Sequence, residues 1–151
     1  VTPSSGPATP PAGYETITKQ CYTFALKVPN TVPKDEACSF ADSNYGSFPS
    51  NTIKVTTSTD SFKTLDEYIS VFETTVTEVS KEKIKLDQSE AYQIIYKSTD
   101  GRTYSKVATL IVGKNYQQDG KSVTALDLTT GYQEQYDKDV TANVIDTWRW
   151  K

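Results

Sequence analysis

The chain has 151 residues, the length of one domain, and carries 16 Lys and Arg against 19 Asp and Glu, a formal net charge of −3. The two signs are interspersed, which excludes both the clustered basic face of a nucleic-acid binder and electrostatic docking on an anionic membrane. There is no His, so no Ser-His-Asp triad, no Cys-His dyad and no His-bearing zinc site exists in this chain alone.

Residues 1–13, VTPSSGPATPPAG, hold no charged side chain and a single valine. Such a stretch cannot bury apolar surface and favours extended, polyproline-like backbone. It reads as a linker or stalk in front of one domain at 14–151. Any targeting or lipid-anchor segment is expected upstream of Val1, and no stretch is long and apolar enough to span a membrane. A second reading lays the arm as a strand along a neighbouring subunit or an open sheet edge, making an assembly joined through residues 1–13. The composition favours the stalk.

Within the domain, Tyr22, Phe24, Leu26 and Val28 alternate, predicting a strand with one buried face that ends at Pro29 and Pro33. Residues 34–50 read as an irregular excursion, and Ile53 and Val55 resume an alternating strand through Thr57. Cys21 and Cys38 are expected to form one disulfide, worth roughly 3 kcal/mol by loop closure. Two buried free thiols are the alternative, and no base lies near enough in sequence to activate either as a nucleophile. The bond would pin the 29–50 excursion to the first strand and leave that loop as a partner-contacting surface.

Leu65, Tyr68, Ile69, Phe72, Val76 and Val79 share one face at a 3.6-residue period, which predicts a helix near 64–80. Thr64 and Glu67 form the capping-box pattern at its start. Thr74, Thr75 and Thr77 are poor helix formers, so packing must stabilise it. A short strand follows at Ile84 and Leu86, then strands at Tyr92–Tyr96, Tyr104–Val112 and Val123–Leu128. Asp100-Gly101 and the Asn115–Gly120 segment mark the turns between the last three, an antiparallel meander. Tyr132, Tyr136, Val140, Val144 and Trp148 step by four, predicting a second helix near 132–147, with Trp148–Trp150 as an extended tail. Strand, strand, helix, meander, helix describes an α+β domain, a twisted antiparallel sheet covered by helices.

Few residues suggest chemistry. Glu134, Asp137 and Asp139 are carboxylates on a predicted helix, where they read as a solvated face rather than a calcium loop. Asp35, Glu36 and Asp42 lie in the excursion, where a loop has room to wrap a cation. No carboxylate pair sits in a glycosidase motif, and the glycines are scattered without a phosphate-cradling run, so no cofactor is expected. Ten tyrosines and two tryptophans are the more telling feature, because exposed aromatics stack on sugars or mark protein interfaces. Tyr45, Phe48, Tyr92, Tyr96 and Tyr104 are the candidate partner-binding residues; half-buried strand tyrosines with wet hydroxyls are the alternative.

Several segments together resemble a known family. Tyr14-Glu15-Thr16 and Cys21-Tyr22-Thr23-Phe24-Ala25-Leu26-Lys27-Val28-Pro29 resemble the opening strand of PsbP/Mog1-like domains. Thr64-Leu65-Asp66-Glu67-Tyr68 is similar to their Ser-Leu-x-Glu-Tyr helix start, and Gln88-Ser89-Glu90-Ala91-Tyr92 to their Gly-x-x-Ala-Tyr strand. Tyr136 and Val144-Ile145-Asp146-Thr147-Trp148-Arg149-Trp150 resemble the closing helix and tail. The likeness is one of order and spacing over 14–151; the chain lacks the Trp common after the first Pro, carries the cysteine pair, and has Trp148 and Trp150 where Phe is usual. The resemblance implies an α/β/α sandwich, a lipoprotein-like setting for the stalk, and binding rather than enzymatic roles. The reading is a non-catalytic extracellular binding or assembly module of a bacterial surface protein, with a protein or cell-envelope component as partner. A carboxylate-dependent enzyme acting on cell-wall or polysaccharide substrate is the reading from another class.

Overall fold

The computed structural model describes residues 13–26, 38–42, 52–74 and 76–151. The arm at 1–12 and the excursion residues Asp35, Glu36, Tyr45 and Phe48 lie outside the described residues, as does the side chain of Asp42.

The chain opens with a hairpin, β1 (Glu15–Thr18) and β2 (Tyr22–Leu26), registered Thr18 to Thr23 and Glu15 to Leu26. After β3 (Phe40–Asp42) and β4 (Ile53–Ser58) comes α1 (Leu65–Glu73). Strands β5 (Thr77–Leu86), β6 (Ser89–Lys97) and β7 (Thr103–Leu110) follow as successive hairpins. A small hairpin, β8 (Gln117–Gln118) and β9 (Lys121–Ser122), precedes β10 (Ala125–Gly131), α2 (Gln135–Thr147) and β11 (Arg149–Trp150). Six strands make one antiparallel sheet in the order β3-β4-β10-β7-β6-β5, and β1-β2-β11 make a second, smaller one. The α+β class and the meander of β6, β7 and β10 are as the sequence predicts.

The main sheet is covered on both faces. On one, α1 packs against β7 and buries Ile69 with Ile94, Tyr96 and Ala108. On the other, β2 and α2 close over Val107, Leu126, Leu128, Ile53 and Val55. Trp148 fills this second core, its ring stacked 4.2 Å from Tyr22 and 5.6 Å from Phe24 between centroids. The predicted tail is strand β11, whose Trp150 pairs with Tyr22 and donates its indole N–H to the Leu86 carbonyl at 3.0 Å.

Four expectations are corrected. The first helix does not reach residue 80: it stops at Glu73, with Thr74 as its C-cap. The apolar period over Val76 and Val79 is outweighed by the threonine run, whose β-branched side chains fit extended backbone better than a helical turn. Val79 instead lies 61 % exposed on β5. That strand is ten residues long rather than a short one at Ile84; an edge strand with two wet faces shows no apolar alternation by which to find it. Strand β2 is buried on both faces, since Tyr22, Phe24 and Leu26 enter the core shared with the main sheet and α2 packs along the strand. Finally, the Glu134–Asp139 carboxylates are not a uniformly solvated face. Asp137 is buried and accepts the Gln133 and Glu134 backbone N–H groups at 3.1 and 3.2 Å, capping the start of α2.

Local chemistry explains the turns. Asp119 and Gly120 both have positive φ, +51° and +77°, the geometry of a two-residue hairpin turn that Asp-Gly favours. The β5–β6 turn uses Asp87 and Gln88 at φ +44° and +75° without a glycine, and Asp87 there accepts the Trp150 backbone N–H at 2.8 Å. Thr64 Oγ1 accepts the Glu67 N–H at 3.1 Å, while Glu67 reaches back one residue further than the standard box, to the Lys63 N–H at 2.8 Å.

Candidate functional site

Adjacent strands β7 and β10 pair Ala108 with Asp127 and Lys106 with Thr129, so Lys106, Ala108 and Asp127 all face α1. The helix sets Tyr68, Ile69 and Phe72 against them because these residues share one face of its two and a half turns. Between helix and sheet is an open cleft of about 420 Å³, walled by Phe62, Tyr68, Ile69, Val71, Phe72 and Ala108 and floored by Ser58, Asp60, Lys106 and Asp127.

Two of the floor groups, Lys106 and Asp127, are joined to Tyr68 in one polar chain. Tyr68 donates its hydroxyl to Asp127 Oδ2 at 2.7 Å. Lys106 Nζ stands 3.7 Å from Asp127 Oδ1, the two side chains keeping 18 % and 14 % of their exposure. The same ammonium lies 4.0 Å from the centroid of the Phe72 ring, a cation–π contact that gives it a second counter-surface. Burial, then the negative charge of Asp127, then the hydrogen bond to it push the Tyr68 phenol far above its ordinary range. Tyr68 is therefore a neutral donor, and Asp127 is engaged at both oxygens. Asp60 and Asp127 supply the two carboxylates that a hydrolase would ask for, but the second is committed to Tyr68 and Lys106. This arrangement fixes Tyr68, Lys106 and Asp127 against one another.

Three of the candidate aromatics come together on this face. Tyr96 lies opposite Tyr104 in the β6–β7 register, with ring centroids 5.7 Å apart, and meets the Phe72 ring edge-on at 4.8 Å. Tyr96 is buried, so it supports the face rather than presenting a surface. Its phenol is pushed up to about 12, chiefly by burial, then by neighbouring Tyr104, Asp127 and Asp100. Tyr104 is half-buried, donates to Asp100 at 2.9 Å, and is raised by burial first and that contact second. Asp100 is held below the ordinary carboxylate range by the Arg102 backbone N–H and then by Tyr104. Tyr92 is half-buried further along the face, with Lys81 Nζ 4.7 Å and Lys83 Nζ 5.9 Å from its ring centroid. Cys21 and Cys38 are both buried and bonded to each other, their Cα atoms 5.3 Å apart.

Sequence reasoning missed Phe62, Lys106 and Asp127 as site residues, and took Tyr68 for a helix-stripe residue only. The available signal was a charged residue in the middle of each of two central strands, on the face opposite Val107 and Leu126. A second concavity, of about 460 Å³, lies beside β3 and β4 with Lys19, Phe40 and Lys54 on its wall. Among the described residues no three Cys, Asp or Glu gather as a metal site, and no helix is long and apolar enough to cross a membrane.

No family model and no curated protein matches this sequence. Among solved structures, the fold is similar to the solution structure of cyanobacterial PsbP (CyanoP) from Synechocystis sp. PCC 6803. The two share a TM-score of 0.52 and 14 % identity over 98 % of each chain. At that identity the likeness establishes a PsbP-like fold.

Proposed function

We propose that this chain is a non-catalytic binding module of an exported, surface-held protein, and that its partner, a protein or cell-envelope component, docks on the α1 face. The observation that carries this reading is the cleft beside α1, where an apolar rim stands over a polar floor in which Asp127 is already held by Tyr68 and Lys106. Phe62 and Phe72 are half-buried there and Val71 is 70 % exposed. Apolar groups left open around satisfied polar ones form a recognition surface more readily than a reaction centre. The Cys21–Cys38 bond supports an oxidising compartment, hence export. The PsbP-like fold supports a binding role, and the Pro/Ser/Thr segment at 1–13 supports a stalk, as in a Mog1-like lipoprotein setting. Of the candidate aromatics, Tyr104 and Tyr92 border the docking face and Tyr96 braces it.

The test is co-sedimentation of the purified domain with cell-envelope fractions, comparing the wild type with Val71→Glu and Phe62→Ala. Retention of the wild type and loss of at least about tenfold in affinity for Val71→Glu is expected, since a charge placed in an apolar contact is left desolvated. Equal retention of all three proteins would refute the assignment of the α1 face.

A further inference from the structure

Strand β5 carries a surface that the α1 cleft does not use. It is the last strand of the main sheet, and no described residue pairs with its outer edge. A register shift between Glu78 and Ser80 interrupts its pairing with β6, and from Ser80 to Leu86 the ladder runs unbroken. Along those seven residues every second one turns its N–H and C=O away from the sheet, toward an added strand. Residues Thr77–Lys83 and Lys85 are exposed.

From Ser80 to Leu86 the side chains of this edge are sorted by charge, while Glu78, opposite Tyr96, stands on the α1 face beyond the register shift. Lys81 lies opposite Ile94, Lys83 opposite Tyr92 and Lys85 opposite Glu90, so the three lysines share the α1 face of the sheet, while Ser80, Glu82 and Ile84 share the other. Lys81 and Lys83 both approach the Tyr92 ring, and Lys81 also pairs with Glu73 at 3.3 Å. Lys81 and Lys83 thus stand beside one aromatic ring, and the three lysines occupy alternate positions of an open edge.

This sorting selects the occupant. A second copy of β5, added antiparallel about a two-fold axis, would set residues of the same face opposite one another. Every register centred between Lys81 and Lys85 then places lysine against lysine, which is destabilising. The Pro-rich segment at 1–13 is also a poor occupant, because its four prolines lack the N–H donors a strand needs and it has no charge to meet the lysines. We infer that the outer edge of β5 is a docking site for an extended acidic segment of a partner protein, added as a seventh strand with Asp or Glu at alternate positions facing Lys81, Lys83 and Lys85. Main-chain hydrogen bonds supply the grip and the carboxylates the selectivity. The other bearing of the edge lysines, protection against edge-to-edge aggregation, predicts no such ligand and is an outcome of the test.

The probe is an eight-residue capped peptide alternating glutamate with threonine and valine, titrated into the ¹⁵N-labelled full chain, with a lysine-for-glutamate version of the peptide as control. Expected are amide shifts confined to Ser80–Leu86 and their β6 partners, slowed hydrogen exchange along β5, and weakening by salt. Lys81→Glu with Lys83→Glu should reduce affinity about tenfold or more and allow the lysine peptide to bind instead. Val71→Glu, on the α1 cleft, should leave peptide binding unchanged, which separates this edge from the cleft reading. Far-UV circular dichroism and the thermal midpoint show that the exposed double variant is folded. No binding of the glutamate peptide up to millimolar concentration, equal binding of both peptides, or shifts away from β5 would overturn the inference and leave edge protection as the role of these lysines.

Discussion

Substituting Asp127 by Asn keeps the shape of the floor of the α1 cleft and an oxygen to accept from Tyr68, but removes the charge that faces Lys106. At the observed 3.7 Å, two unit charges in an effective dielectric near 20 attract by about 4.5 kcal/mol before any cost is subtracted. Desolvating two side chains that keep 18 % and 14 % of their exposure, and fixing the lysine, offset more than half of this. The Phe72 ring retains part of the attraction for Lys106 once Asp127 is neutral. A net loss of about 2 kcal/mol is therefore expected for Asp127→Asn, a fall in the thermal midpoint of about 4–8 °C for a chain this long. Urea unfolding of Asp127→Asn, Lys106→Met and the double variant measures it as a cycle. The double should cost about 1–2 kcal/mol less than the sum of the singles, and the coupling should survive raised salt because the pair is largely buried. Singles that add to within about 0.3 kcal/mol would refute the view that this pair closes the floor.

Other perturbations test the rest of the framework. In a spectrophotometric alkaline titration, Tyr68, Tyr96, Tyr104, Tyr116 and Tyr136 should ionise above the ordinary phenol range, because burial is the first cause in each. The folded state then holds protons that the unfolded state has released, so stability is full below about pH 10 and declines as pH rises toward about 12, the Tyr96 value. Ten tyrosines titrating together near the ordinary value with the fold intact would contradict this. Replacing Cys21 and Cys38 by Ala should cost about 3 kcal/mol for a loop of separation 17, read as a lower urea midpoint; an unchanged midpoint would show that the bond constrains little. Ile69→Ala, under α1, should cost about 2–5 kcal/mol, whereas Val71→Ala two residues on should be within about 0.5 kcal/mol. Reversal of that order in thermal unfolding would mean that α1 packs by its other face.

The meander, the second helix, the tail and the disulfide were legible because each has a local signature. Asp-Gly pairs mark two turns, a step of four marks α2, and two cysteines leave a single pairing. What was not legible depends on neighbours far along the chain. Nothing local distinguishes β2 as a strand buried on both faces; that follows from the main sheet and α2, which pack over it from far along the chain. The end of α1 and the length of β5 were misjudged together, because the apolar spacing of Val76 and Val79 mimics a helix while the threonines between them favour a strand. At the cleft, the tyrosines were visible as a composition but not their ranks, since only the β6–β7 register makes Tyr96 a brace and Tyr104 a border. Lys106 and Asp127 are 21 residues apart in sequence, and only the β7–β10 pairing makes them partners.

The most direct test of the binding assignment is a map of backbone amide shifts when the ¹⁵N-labelled chain is mixed with solubilised cell-envelope fractions. Perturbed residues are expected to cluster on Phe62, Tyr68, Val71, Phe72, Lys106 and their neighbours, β1, β2 and β11 to stay silent, and Val71→Glu to abolish the pattern. Perturbations centred on the β1-β2-β11 sheet or on α2, with the α1 face unmoved, would contradict it.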